Sequence, residues 1–391
     1  MRYVFIDDSA LNYDGYTPMR RALGGAEKAL IGLCSALFER GHEVHVINRT
    51  SYAHMADGAY WVPMGDPLAP KSTDVLIALR KPALLGSLRS ATHRLLLVVG
   101  DPAYLAAPAN EPLWESFGAS LLFIGQNQKR AYKGKVRHSL ITPGVRAAYF
   151  LKPTTPVQGP QVESHPEYYD PPEETATVLK EADEAVEAAA NVQPEEPPPP
   201  PPPHAVVTTH PLQGLDWLVD VWTQKIHPQM PAARLAVYSA VLSKGLKGEE
   251  IPVAILPVLQ KVQAAAGANV VVVVPRNDDG MADVYRESRV HLYPGDKQDF
   301  ACWTLAESQA TGLPAVARAL GGVDERIDNG ESGYIVPDAE AFANVTLQIL
   351  RDDAFYKNLS AAAAAPTRRR VWATAVEELE AFVATLPAAA V

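Results

Sequence analysis

The chain has 391 residues, 47% apolar and 20% charged, which is room for two ordinary domains with real cores. A net charge of −10, from 35 Lys/Arg and 45 Asp/Glu, does not resemble the basic stripe of a nucleic-acid binder. Two cysteines, Cys34 and Cys302, are too few for a disulfide framework, and no Cys/His spacing resembles a zinc site.

No stretch reaches the ~18 apolar residues of a membrane span. The opening MRYVFIDDSA lacks the charged and apolar regions of a signal peptide. The expectation is a soluble, cytoplasmic protein. Charge is unevenly spread. Residues 1–152 carry 18 Lys/Arg against 12 Asp/Glu, residues 153–204 carry 1 against 11, and residues 205–391 carry 16 against 22.

RYVFID (2–7) reads as a buried strand, followed by a helix over GGAEKALIGLCSALFERG (24–41). Leu30, Leu33, Ala36 and Leu37 recur there at helical spacing, and Gly41 sits where a helix commonly stops. HEVHVI (42–47), DVLIAL (74–79), RLLLVV (94–99), SLLFIG (120–125) and HSLIT (138–142) read as further short strands. Strands alternating with helical or loop connections predict a parallel, doubly wound sheet.

Residues 153–204 break the pattern. They are rich in Pro, Glu and Ala and end in seven prolines, Pro197 to Pro203. Such a run favours a stiff polyproline II spacer of about 20 Å, and prolines in a run can dock on a partner's aromatic groove. Residues 173–190 could form a helix; the rest is expected to be disordered, low-complexity insertion. Beyond it HAVVTT (204–209), RLAVYS (234–239), NVVVVV (269–274), RVHLYP (289–294) and PAVARA (314–319) restart the strands, with a helix over 211–224. Residues 368–386 predict a terminal amphipathic helix with Trp372, Val376, Leu379 and Val383 on one face.

The densest chemistry lies in DFACWTLAE (299–307), where Asp299 and Glu307 stand eight apart. A helix over Leu305–Thr311 would put Glu307 in its first turn, beside unpaired amides. Two readings are open: a solvated loop acid with a helix-starting acid that suits the macrodipole, or two carboxylates accepting hydroxyl hydrogen bonds around a backbone cradle for an anion.

The wider stretch 293–338 resembles the donor-site region of retaining glycosyltransferases of family 4, with the two-domain GT-B fold. Tyr293-Pro294, Asp299, Glu307, Gly312, Pro314, Gly321-Gly322, Glu325, Asn329-Gly330 and Gly333-Tyr334 fall in the family's register. GGAE (24–27) is similar to its glycine-rich turn, PGVRAAYF (143–150) to the segment closing its first domain, and RVWATAVEELEAF to its final helix. The resemblance implies two Rossmann-like domains facing a cleft, over 1–152 and 205–367, with 368–386 completing the first. The first domain would hold the acceptor and the second the donor.

The implied activity is sugar transfer from a nucleotide sugar, with retention, to a saccharide, a lipid-linked glycan or a small metabolite. By the resemblance, Glu307 would hold the donor ribose, and Asp299, the implied catalytic residue, would stand near the transferred sugar. Phe300, Ala301, Cys302 and Trp303 would frame sugar and phosphate, Thr208 and Gln213 the diphosphate, with Gly24 and Gly25 facing it from the first domain. No metal or other cofactor is implied. Three departures from the family matter. Asp299 replaces a glutamate, Thr208 and Gln213 replace a phosphate-neutralising Arg and Lys, and Gly100-Asp101 replaces a histidine. Lys297, Arg276 and Arg318 are candidates to restore the charge. The alternative is a degenerate, non-catalytic relative that binds a nucleotide sugar or a protein partner. The basic run QKRAYKGKVRH (128–138) is either a solvated face or a weak peripheral contact with anionic lipid. Tyr13, Tyr16 and Arg20-Arg21 lie in a loop that is either flexible or touches the acceptor.

Overall fold

The computed structural model describes residues 1–150 and 199–387. Of the segment 153–204, expected to be a disordered insertion, residues up to 198 lie outside the described residues, and with them the helix expected over 173–190 and the first two prolines of the run, Pro197 and Pro198. The remaining chain forms one compact unit built on two sheets.

The first sheet contains β1 (Arg2–Ile6), β2 (Glu43–Asn48), β3 (His54–Ala56), β4 (Ala59–Pro63), β5 (Ser72–Leu79), β6 (Ser90–Leu97), β7 (Ser120–Phe123) and β8 (His138–Leu140). Their order is β3-β4-β2-β1-β5-β6-β7-β8. The second contains β9 (His204–Val207), β10 (Arg234–Tyr238), β11 (Val270–Val273), β12 (Val290–Tyr293), β13 (Ala315–Arg318) and β14 (Gly333–Val336), ordered β11-β10-β9-β12-β13-β14. Pairing is parallel throughout except between β3 and β4. The chain reverses its direction of travel between β1 and β5, and again between β9 and β12. Crevices at such switch points, beyond the carboxyl ends of the strands, are where open α/β sheets bind ligands.

Both faces of these sheets are covered, so the central strands are continuous apolar runs rather than alternating ones. Val75 to Leu79 of β5 are all buried. One face of the first sheet packs on the helix Gly25–Glu39 and the terminal helix Trp372–Ala384. Ala375, Val376, Leu379, Phe382 and Val383 meet Leu30, Leu33, Cys34 and Leu37 there. The predicted strands are all present. Three more are β3, β4 and β14. The β3–β4 hairpin turns at Asp57-Gly58, both at positive φ, which is the strongest short hairpin signal a sequence offers. The helix expected over 211–224 begins later, at Leu215, because Gly214 at φ 81° turns the chain into it. It continues past Val221 as a wider turn over Trp222–Ile226. Among the described residues no helix is long and apolar enough to cross a membrane.

The terminal helix is also tied by charge. Arg40 donates from Nε to both Glu380 oxygens at 3.0 Å, and His42 Nε2 lies 2.6 Å from Glu380 Oε1. The hydrogen bond from Arg40 holds the Glu380 carboxyl below its ordinary pKa of 4.5. A lowered carboxylate stabilises the fold above the unfolded pKa and loses that contribution as pH falls through the folded one. The stability difference between the protein and its Glu380→Gln variant is therefore expected to be constant above about pH 5 and to shrink below it, read by urea unfolding across pH. Leu379→Ala, at a fully buried position, is expected to cost about 2–5 kcal/mol in the same assay.

Candidate active site

A cavity of about 650 Å³ opens beyond the carboxyl ends of β1, β9 and β12. Gly24, Gly25, Thr208, Gln213, Asp299, Phe300, Ala301, Trp303 and Glu307 all line it. Nine of the ten predicted site residues thus share one wall or another. Cys302 does not line the cavity: it is fully buried behind the loop.

The loop after β12 is stapled on itself. Asp299 Oδ1 accepts from the Cys302 amide at 3.0 Å, and Asp299 Oδ2 accepts from the buried Tyr293 hydroxyl. Both oxygens of the implied catalytic acid are therefore engaged. Cys302 takes the left-handed conformation, φ 45°, rare for a residue with a Cβ, and the helix Trp303–Ala310 starts from it. That start is two residues earlier than expected. Glu307 consequently sits in the second turn, not the first, and does not flank the unpaired amides. Those belong to Ala301, Trp303 and Thr304, which meet no acceptor among the described residues. Burial, then the Asp299 charge, raises the Cys302 thiol far above its ordinary pKa, so it is no nucleophile.

The glycine pair Gly321-Gly322 explains its place in the motif. A Cβ on Gly321 would fall 2.2 Å from the Asp299 carbonyl oxygen, and one on Gly322 would fall 2.2 Å from that of Phe300. Only bare backbone can lie against this loop. Arg326 then holds the Ala301 carbonyl from Nε and Nη2 at 3.2 and 3.0 Å. Glu325 reaches the other sheet, accepting from the Gln126 and Asn127 amides at 2.8 and 2.7 Å, at the start of the helix Gln126–Ala131.

Glu307 is met from across the cleft. Lys28, one turn into the helix that follows the Gly24-Gly25 turn, places its Nζ 2.7 Å from Glu307 Oε1 and 2.6 Å from Asp278 Oδ1. Tyr149 donates to the same Asp278 oxygen at 3.0 Å, and Arg146 Nε stands 3.5 Å from Asp278 Oδ2. Burial raises the Glu307 pKa, partly opposed by Lys28 and reinforced by Asp278. Burial pulls the Lys28 pKa down, but the two carboxylates outweigh it and hold the ammonium charged. Close beside this network, Gly25 packs on Trp303, where a Cβ would come within 2.1 Å of the indole.

Thr208 has a partner that sequence reasoning missed. His291 is fully buried, and burial drops its pKa to about 3, so it is neutral. It bridges Thr208 Oγ1 at 3.1 Å and Ser308 Oγ at 2.7 Å, fixing the end of β9 to the helix that carries Glu307. Gln213 Oε1 accepts from the His210 amide at 3.2 Å. Of the three replacement cations, only Arg276 lines the cavity. Arg318 donates to the Pro294 and Gly295 carbonyls and stacks 4.4 Å over Trp217. Lys297 is exposed and outside the lining. Gly100 lines the cavity, but the Asp101 side chain is spent on the Ala103 amide. Tyr13 is not free for a ligand either: it is buried and donates to Asp7 at 2.7 Å. Lys28, Tyr149, Asp278 and His291 are the site's unforeseen members. Their only common signal is position near a motif, because each pairing spans a long stretch of chain.

Residues 205–352 match the family model Glycosyl transferases group 1. D-inositol 3-phosphate glycosyltransferase of Corynebacterium diphtheriae is 32% identical over 108 residues, 27% of this chain and 25% of that one. Phosphatidyl-myo-inositol mannosyltransferase of Mycobacterium leprae is 30% identical over 105 residues, 26% of this chain and 28% of that one. The match thus spans about a quarter of the length of these curated relatives. Among solved structures, Anabaena HepE in complex with UDP and glucose superposes with a TM-score of 0.65 at 14% identity, covering 99% of this chain and 100% of that one. Sucrose-phosphate synthase of Thermosynechococcus elongatus gives 0.65 at 16%, covering 97% and 98%. Likeness at this identity speaks of architecture. The two-sheet chain has the GT-B fold, and the match to the glycosyl transferases group 1 model lies over its second sheet.

Proposed function

We propose that the protein is a glycosyltransferase that moves a sugar from a nucleoside-diphosphate sugar to a hydroxyl of a saccharide or lipid-linked acceptor, with retention of configuration and without a metal ion. The observation that carries this reading is Glu307. It is a buried carboxylate on the wall of a cleft of about 650 Å³, within the family-matched segment. A buried carboxylate needs hydrogen-bond donors, and vicinal ribose hydroxyls supply two.

The rest of the cleft suits the remainder of such a donor. The amides of Ala301, Trp303 and Thr304, at the start of a helix, favour an anionic group. Thr208 and Gln213 offer uncharged donors at the far side. In the transfer, the bond from the anomeric carbon to the diphosphate breaks and the bond to the acceptor oxygen forms. The acceptor proton leaves with the diphosphate. Asp299 is tied to Tyr293 and Cys302, which favours an electrostatic role beside the anomeric carbon over attack upon it. Retention then needs no covalent intermediate on this residue. The Anabaena structure contains UDP and glucose, so UDP-sugars are the first donors to try.

Calorimetric titration with UDP, GDP, ADP and their glucose, galactose and mannose forms tests the reading. One donor is expected to bind, and Glu307→Gln to weaken it about tenfold or more, the worth of one charge-assisted hydrogen bond. Failure of every donor to bind folded protein would leave only the non-catalytic alternative. Gly25→Ala is expected to push Trp303 away and weaken the same donor by a similar factor, with a circular dichroism spectrum like that of the parent. Transfer activity, once an acceptor is found, is expected to survive EDTA unchanged.

A further inference from the structure

We propose that Lys28 is the phosphate-neutralising cation of this cleft, supplied by the first domain instead of the second. It is held by Glu307 and Asp278 and passed to the donor diphosphate when ribose hydroxyls take Glu307. The inference rests on the donor-site reading above and adds the residue that makes good its missing charge.

Among the described residues, three Lys/Arg side chains line the cavity. Arg21 is spent on the Asn12 carbonyl, and Arg276 is exposed. Lys28 alone sits deep, its side chain only 12% exposed. It follows Gly25 by three residues on the same helix, so its stem rises beside the glycine turn, and its head lies at Glu307. A nucleoside that occupies Glu307 and a diphosphate that faces the glycines would flank the ammonium on two sides. Lysine suits such a transfer, being a compact charge on a flexible stem, whereas arginine is a rigid fork that prefers one bidentate partner.

The network is built to let Lys28 go. It holds two carboxylates, Glu307 and Asp278, and two cations, Lys28 and Arg146. Among the described residues, Asp278 Oδ2 and Arg146 Nη1 are both buried without a hydrogen bond, although Arg146 Nε lies 3.5 Å from that oxygen. A small movement of Arg146 closes this pair. Tyr149 already donates to the other Asp278 oxygen. If Lys28 leaves, Asp278 keeps a cation and a hydroxyl, while Glu307 gains ribose hydroxyls. No buried charge is stranded, which is the outcome that would otherwise make the exchange prohibitive. The exchange needs both halves of the ligand. A nucleoside alone evicts Lys28 with no anion to receive it, and pyrophosphate alone strips Glu307 of its cation.

The experiment compares UDP with uridine on the full chain by calorimetry. In the parent, UDP is expected to bind about a hundredfold more tightly than uridine, the scale of a charge-assisted diphosphate contact. In Lys28→Met that ratio is expected to fall at least about tenfold while uridine binding is kept or improved, since Glu307 is released. Glu307→Gln is expected to weaken both ligands and preserve the ratio. If Lys28→Met fails to fold, the Lys28→Met/Asp278→Asn pair removes one charge of each sign, and the same fall in ratio is expected. An unchanged ratio in either Lys28 variant, or a parallel loss of uridine and UDP, overturns the role of Lys28 alone. No binding of any nucleotide to the parent removes the donor site and the inference together.

Discussion

The ion pair between Lys28 and the Glu307/Asp278 carboxylates is the constraint on which the site depends. It joins the helix behind the first sheet's glycine turn to two helices of the second domain. Taking these charges out of water is expensive, and pairing returns that cost only with good geometry. Here the distances are 2.6 and 2.7 Å. Removing one partner of such a buried set characteristically costs about 3–5 kcal/mol, so the network acts as a register between domains more than as a source of net stability. Other contacts share the task. Glu325 caps the Gln126 helix, Asn277 donates to the Met19 carbonyl at 2.7 Å, and Gly25 meets the Trp303 ring. Each of them joins the two halves of the chain, so the spacing between the halves follows from all of them together.

The loop after β12 is made rigid from within and from behind. Asp299 closes it through Cys302 and Tyr293, Arg326 grips the Ala301 carbonyl, and Gly321-Gly322 lie flat against its back. Strained backbone persists only where its surroundings over-determine it, and Cys302 at φ 45° is such a residue. The consequence is a group of amides fixed in direction before any ligand arrives. That is how a site stabilises developing charge without reorganising. The motif residues that look like a binding list in the sequence are thus divided. Some face the cavity, and others hold those that do.

Much of this was legible in the sequence, and the reason is physical. Buried parallel strands are continuous apolar runs, so β1, β2, β5 to β8 and β9 to β13 announce themselves. The short β3, His54-Met55-Ala56, carries no apolar run, whereas β4 does in Tyr60-Trp61-Val62 and was missed although Asp57-Gly58 marks the turn before it. The cavity wall was implied by the family resemblance of the motifs around Gly24, Thr208, Asp299 and Glu307, and all four line the cavity. The charge network could not be read in this way. Lys28 and Glu307 are 279 positions apart, and nothing local to GGAEK distinguishes a lysine that crosses a cleft from one that meets water. The buried His291 was hidden for the same reason. The helix start at Trp303 was misplaced because a left-handed cysteine ahead of it has no signature in composition or period. Composition alone sets 153–204 apart; its residues up to 198 lie outside the described structure, and His204 opens β9.

The role of the Lys28 network depends on where a nucleoside diphosphate lies relative to Lys28 and Glu307. A crystal structure of the protein with UDP decides it most directly. The expected result has ribose hydroxyls within hydrogen-bond distance of Glu307, the Lys28 ammonium on the diphosphate, and Arg146 closed on Asp278. A nucleotide bound elsewhere, with Lys28 still on Glu307, would contradict the account.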